Sequence, residues 1–251
     1  MTDKSNSSKM AECVAIVTGG GTGIGRAAAI ALVDQGAKVL LVGRRETPIK
    51  ELSERYDGSM RYLQADISET GSSQKIIDAA LETFGRLDTL VNNAGVAYVK
   101  PLADITDDEI EQMLSVNIKG ILTLSRDAIP ALQKSKGTII NISSVAGQSA
   151  VPGFSTYAAT KAGIDRITKI LAAELGPLGI RINAVSPGLT QTDMLAATPP
   201  EAIDKMVNEA TALRRVGTPE DVAQSIVWLA SSDAEWITGQ VIQASGGLLL
   251  S

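Results

Sequence analysis

Seven short apolar runs punctuate this chain, at residues 14–17, 38–42, 60–64, 89–91, 138–142, 181–185 and 241–244. Between them lie longer stretches with apolar residues at helical spacing, among them 24–35, 72–84, 107–125, 156–175 and 219–229. No other feature constrains the fold as strongly. A short, almost continuous apolar run fits a strand buried on both faces. Two such strands joined through a helix pair in parallel, because the right-handed crossover packs its helix back onto the sheet. The pattern predicts an α/β fold: a single Rossmann-type, doubly wound parallel sheet of about seven strands with helices on both faces. The 251 residues suffice for one large core. Residues 13–251 are expected to form a single domain behind a flexible polar tail over 1–12. One irregular stretch, 188–218, is rich in Thr and Pro and follows a strand, which suits a segment that covers a site at the strand's C-terminal end.

Composition removes several classes of function. Apolar residues make up 44% and charged residues 20% of the chain, an ordinary globular balance. Runs such as 39–42 are too short to cross a bilayer, so no membrane association is expected. The opening MTDKSNSSKMAE lacks the apolar stretch of a signal peptide, and the expected location is the cytoplasm. Cys13, the single cysteine, lies in the apolar run CVAIV and reads as a buried thiol. The chain has no histidine, which removes Ser-His-Asp and Cys-His catalysis and the histidine-bearing zinc sites; no metal is expected. A net charge of −5 argues against nucleic acid as a partner.

Directly after the first strand comes TGGGTGIG, residues 18–25, leading into a helical pattern. Gly19, Gly23 and Gly25 let the backbone turn tightly and bring the helix N-terminus up to a pyrophosphate, whose charge the free amides and the helix dipole favour. A plain strand-to-helix turn would also explain the glycines, but the position between a strand and a helix favours a nucleotide. The second strand ends in VGRRE, with Gly43 where a carboxylate would hold the ribose 2′-hydroxyl of NAD. Arg44 and Arg45 follow instead, and guanidinium groups there suit a 2′-phosphate, so NADP(H) is expected ahead of NAD(H). Two solvated loop arginines are the alternative.

Tyr157 and Lys161, in YAATKAG, stand four residues apart in a helical pattern and so project from one face. An ammonium close to the phenol favours the phenolate, which would bring the tyrosine toward the working pH and let it move the protons that histidine cannot. Ser144, thirteen residues before Tyr157 and just past a strand, would bond a substrate carbonyl and hold it against the phenol. A local turn bond is the alternative for its hydroxyl.

Taken in order along the chain, these motifs resemble the short-chain dehydrogenase/reductase family. TGGGTGIG, the AD of Ala65 and Asp66, NNAG at 92–95, Asn117 in VNIKG, Ser144 in ISS, YAATK and SPGLTQT at 186–192 cover nearly the whole chain. The resemblance implies an NADP(H)-dependent oxidoreductase that interconverts a ketone or aldehyde and an alcohol by hydride transfer, such as a carbonyl reductase. A 3-oxoacyl-acyl-carrier-protein reductase is the second reading, and a non-catalytic nucleotide-binding regulator a remote third. It implies Tyr157 as general acid/base, Lys161 on the nicotinamide ribose, Ser144 on the carbonyl and Asn117 as anchor of a water chain reaching Lys161; a surface polar residue is the alternative for Asn117. Thr22 and Ile24 complete the glycine loop. Asp66 and Ile67 would lie beside the adenine; Asn93, Ala94 and Gly95 would line the cofactor cleft; and Thr190 and Thr192, after Pro187 and Gly188, would meet the carboxamide. The resemblance also implies a homotetramer acting on a small molecule. Two positions depart from the pattern: Thr22, where NADP-preferring members carry a basic residue, and Ser245, where an aspartate is common.

Overall fold

The computed structural model describes residues 10–56 and 58–248. Seven strands alternate with helices: β1 (Val14–Thr18), α1 (Gly23–Asp34), β2 (Lys38–Gly43), α2 (Glu46–Arg55), β3 (Met60–Gln64), α3 (Ser72–Phe84), β4 (Thr89–Asn92), α4 (Asp107–Leu114), α5 (Ile121–Ser135), β5 (Thr138–Ile142), α6 (Ser155–Leu175), β6 (Arg181–Pro187), α7 (Pro200–Lys205), α8 (Pro219–Ala230) and β7 (Val241–Ala244). They form one all-parallel sheet in the order β3-β2-β1-β4-β5-β6-β7. Strand order reverses between β1 and β4: the chain winds outward from β1 to β3, then crosses back to β4 and winds the other way, which opens a crevice at the C-terminal ends of β1 and β4.

Alternation along the strands builds two cores. In β1, Ala15 and Val17 face a layer with Leu32 of α1, Ile49 and Leu52 of α2 and Ile226 of α8. Ile16 faces the other way, into a layer with Ile76 and Ile77 of α3, Leu124 and Leu132 of α5 and Leu175 of α6. All five β1 residues are buried, as expected of a central parallel strand. Residues 1–9 of the expected tail lie outside the described residues. Met10, at its end, is 1% exposed in the first core, and its amide donates to Gln35 O at 3.1 Å.

Three elements differ from the sequence pattern. α2 occupies a stretch the periodicity left without an element; only Ile49, Leu52 and Ser53 are buried, too few to give a clear stripe. The helical pattern over 107–125 is α4, then a wide π turn at Ser115–Gly120, then α5 running on to Ser135 through Pro130. The turn lets Gly120 press on Ile67, whose side chain would lie 3.0 Å from a Cβ at that glycine. The stretch 188–218 is not wholly irregular: it holds a short turn at Leu195–Ala197, α7 and a π turn at Met206–Ala210. No helix among the described residues is long and apolar enough to cross a membrane.

Candidate active site

β1 ends at Thr18 and the chain turns at Gly19 with φ +64°. A Cβ on Gly19 would come within 2.8 Å of Asn93 Nδ2, and one on Gly25 within 2.3 Å of Gly19 O, so neither position admits a side chain. The loop is clamped from the β4 side. Asn93 Nδ2 donates to the carbonyls of Thr18 at 2.9 Å and Gly19 at 3.2 Å, and Thr18 Oγ1 accepts the amides of Asn93 and Ala94, both at 3.0 Å. Asn93 is therefore a brace for the glycine loop as well as part of the cleft wall. Thr18, which the sequence reading passed over, is the hub; its place at the end of β1, against the first glycine, was the available signal.

α1 starts after Thr22 with no side-chain cap and no acidic residue in its first turn. α4 and α8, in contrast, carry capping boxes, Thr106 with Glu109 and Thr218 with Asp221. The unclaimed positive end of α1 and the clash-limited glycines make a cradle that fits a dinucleotide pyrophosphate. Thr192 closes over it, with Cγ2 3.0 Å from a Cβ position on Gly23. Ile24 lies in the first turn of α1, half buried.

At the end of β2, Arg45 is exposed; its Nη2 donates to Thr22 Oγ1 at 3.4 Å and lies 3.7 Å from Asp193 Oδ2. Arg44 stands 4.0 Å from Asp66 Oδ2. Both are available to a ligand, and Arg45 is tied loosely across the glycine loop. Asp66 Oδ1 accepts the amide and hydroxyl of Ser68, at 2.9 and 2.7 Å, so half of the carboxylate serves a local turn. Ile67 is 6% exposed and its side chain packs inward, into the second core.

The catalytic candidates converge from three elements. Ser144 follows β5 and caps the turn Val145–Gln148, its Oγ accepting Ala146 N at 3.1 Å. The local bond and the functional reading coexist, because the same hydroxyl is close enough to the Tyr157 phenol to hold down part of its rise in pKa. Tyr157 lies in the first turn of α6, 7% exposed, edge-on to Phe154 with ring centroids 6.1 Å apart. Lys161, one turn on and 4% exposed, directs Nζ to Ile142 O at 2.7 Å, with the ammonium 5.6 Å from the Tyr157 ring centre. A Cβ on Gly95 would stand 3.7 Å from that Nζ and 3.3 Å from Asn117 Oδ1.

Asn117 sits on the π turn and is fully buried, which removes the surface alternative. Oδ1 accepts Val96 N at 2.9 Å, while Nδ2 donates to Val96 O at 2.9 Å and Thr160 Oγ1 at 3.1 Å. Both side-chain donors are thus occupied, one by the loop after β4 and one by Thr160 of α6, and any water relay at this residue falls to its backbone.

Electrostatics at the pair run opposite to expectation in the free protein. Burial pushes the Tyr157 phenol above its ordinary value, and the hydrogen bond with Ser144 offsets part of that rise. Burial also lowers Lys161 to about 8, with the Asp165 charge acting the other way. Two polar groups removed from water together each lose solvation, and the ammonium is turned to a carbonyl rather than to the phenol.

At the end of β6, Pro187 and Gly188 lead into the covering segment. A Cβ on Gly188 would meet Ser245 Cα at 2.9 Å, so Ser245 is a packing partner of that turn. Thr190 Oγ1 donates to Gly188 O at 3.1 Å and Thr192 Oγ1 to Thr190 O at 3.3 Å. A cleft of about 540 Å³ opens beside Gly23, Arg26, Thr192 and Leu195; it adjoins the cofactor cradle but includes none of Ser144, Tyr157 or Lys161. Among the described residues no group of His, Cys, Asp and Glu could hold a metal.

Comparisons with known proteins identify the family of the chain. A family model described as enoyl-(acyl carrier protein) reductase matches residues 19–249. The chain is 37% identical over 249 residues to versicolorin reductase of Emericella nidulans, covering 93% of this chain and 94% of that protein. It is 33% identical over 241 residues to the 3-oxoacyl-acyl-carrier-protein reductase FabG of Thermotoga maritima, covering 94% and 98%. A solved structure of a 7α-hydroxysteroid dehydrogenase complexed with NADH and 7-oxo glycochenodeoxycholic acid superposes with a TM-score of 0.93 at 28% identity, covering 100% of this chain and 99% of the other. The chain belongs to the short-chain dehydrogenase/reductase family, and is an oxidoreductase that uses NAD(P)(H) to interconvert a carbonyl compound and an alcohol with a tyrosine as general acid and base.

Proposed function

We propose that the chain is an NADP(H)-dependent reductase of a small ketone or aldehyde, formed by one domain with residues 188–218 covering the substrate. The observation that supports this most is the buried Tyr157 phenol, beside Ser144 and one helical turn from Lys161, whose ammonium lies 5.6 Å from the ring centre. When bound, the nicotinamide supplies or takes up the hydride. Tyr157 holds a proton on its hydroxyl and passes it to the substrate oxygen in reduction; the burial that raises its pKa keeps it protonated near neutrality, as a donor requires. Ser144 holds the same oxygen against the phenol. Lys161 holds the nicotinamide ribose, and Gly95 leaves room for that approach. The wall beside Tyr157 is Met113 and Ala146, with Val96, Ala97, Tyr98 and Phe154 packed on it, which suits an uncharged substrate with an apolar flank. Lys100, nearby in sequence, is engaged by Glu109 at 2.6 Å.

A panel of ketones, aldehydes and acetoacetyl thioesters tests the assignment. Turnover confined to the thioesters would replace it with the acyl-carrier reading, which the likeness to FabG favours. An acidic carrier protein would want basic residues at its docking surface, and the turn GPLG at 176–179 offers none.

NADPH should be preferred over NADH through Arg44 and Arg45, which contribute on the order of 1–3 kcal/mol toward a 2′-phosphate. The ratio of kcat/KM for the two cofactors measures this, and Arg45→Ala should narrow it. A wild-type preference for NADH, the cofactor of the hydroxysteroid dehydrogenase structure, would overturn the assignment.

A homotetramer in the cytoplasm completes the proposal. Exposed Leu114, Leu122 and Ile170 on α4, α5 and α6 are apolar surface that partner subunits would cover. Light scattering should give four times the mass of the chain, and a monomer mass at micromolar concentration would contradict it.

A further inference from the structure

Asp165 lies on α6 one turn beyond Lys161 and two beyond Tyr157, on the same face. Its carboxylate is divided between two environments. Oδ2 accepts Gln148 Nε2 at 3.2 Å, whereas Oδ1 is buried with no hydrogen-bond partner. Gln148 is the last residue of the turn that Ser144 begins, and its Oε1 accepts Gln243 Nε2 of β7 at 2.9 Å. The Asp165 side chain therefore joins the helix that carries Tyr157 and Lys161 to the turn that carries Ser144, and that turn in its other direction to the edge strand. A buried carboxylate oxygen without a donor is costly, and an ammonium on the same helix face offsets part of that cost through space.

The groups around the lysine leave this role to Asp165. The Ile142 carbonyl of β5, the Gly95 backbone and the Asn117 amide on the π turn are uncharged, and so is Ser143, whose Oγ donates to Lys161 O at 3.2 Å. On α6 itself Tyr157 is a neutral phenol, and Lys169, one turn past Asp165, is exposed. The charge that opposes the loss of the Lys161 proton on burial is that of Asp165. Neither the tyrosine–lysine spacing nor the serine position requires a carboxylate here.

We propose that Asp165 is a positioning residue of the active site, holding Lys161 in its ammonium form and, through Gln148, bracing the turn that presents Ser144. The inference rests on the proposed roles of Tyr157, Lys161 and Ser144.

The test compares Asp165→Asn with Gln148→Ala and with Lys161→Met. Asparagine keeps an acceptor for Gln148 and removes only the charge. NADPH affinity, followed by fluorescence from pH 6 to 10, and the pH profile of kcat/KM are the readouts. In Asp165→Asn, the alkaline loss of affinity should begin at lower pH than in wild type, by roughly half a unit or more, with melting behaviour little changed. Gln148→Ala should leave that midpoint in place and lower kcat several-fold, the signature of a displaced Ser144. In the Lys161→Met background, Asp165→Asn should have no further effect on the pH dependence of binding. An Asp165→Asn profile that coincides with wild type, or an effect that persists without the lysine, overturns the inference. If Lys161→Met alone leaves binding and turnover unchanged, the failure lies instead in the assignment of the lysine.

Discussion

Tyr157→Phe should lower kcat by a factor of roughly 10² to 10⁴ and leave the cofactor dissociation constant within a few-fold of wild type. The substitution removes one hydroxyl from a ring that stays packed among Met113, Ala146 and Phe154. Ser144 loses a partner but keeps the amide of Ala146, so the turn it caps should hold its shape. Stability should therefore change little while the proton donor disappears. The pH dependence carries a second expectation. Because burial holds the phenol above its ordinary value, wild-type carbonyl reduction should run level through neutral pH and decline only in the alkaline range, where the donor is lost. Alcohol oxidation, which needs the phenolate, should rise over that same range. Near-wild-type turnover in Tyr157→Phe, with fold intact by circular dichroism and cofactor bound, would mean that the proton comes from another group.

Features written in one stretch of chain were legible before any coordinates. The buried strands declared themselves through runs such as VAIV and KVLLV, the cradle through glycines at fixed offsets, and the Tyr157–Lys161 face through helical spacing. Features that depend on contact between distant segments were not. Nothing local in NNAG says that the Asn93 amide clamps the Thr18 and Gly19 carbonyls 75 and 74 residues away, or that Asn117 reaches back 21 residues to Val96. The π turn at Ser115–Gly120 is equally silent, since a single wide turn between two helices spans too few residues to show as a break in apolar periodicity. The sign of the tyrosine shift is hidden from the sequence for a related reason. Spacing reveals which charges are near, whereas desolvation depends on everything else that packs around the group, and here desolvation is the larger effect.

Lys161→Met should raise the cofactor dissociation constant by roughly tenfold or more, the loss expected for a hydrogen bond from a charged donor, and lower kcat as well. Methionine is close in length, so packing around Gly95 and Ile142 should persist. In wild type, cofactor affinity should weaken as pH rises through about 8, where the buried ammonium gives up its proton. The variant should show no such inflection. Stability should move the other way, and the sign follows from linkage. The lysine titrates at about 8 in the fold against 10.5 when free, so between those values the unfolded chain binds more protons and stability rises with pH. Below about 8 the buried charge then costs roughly 3 kcal/mol. Methionine removes that cost and leaves Ile142 O without its donor, a penalty of about 1–3 kcal/mol. The cofactor-free variant should therefore be no less stable than wild type at pH 7, which separates a functional lysine from a structural one. Tyr157→Phe combined with Lys161→Met should turn over little more slowly than Tyr157→Phe alone, because the two side chains act on one proton, while its cofactor affinity should follow the lysine variant. A methionine variant that binds cofactor as wild type does at both pH 7 and pH 9 would leave the lysine no part in holding the ribose, and a large drop in its melting temperature would make Lys161 a residue of the fold before it is one of the site.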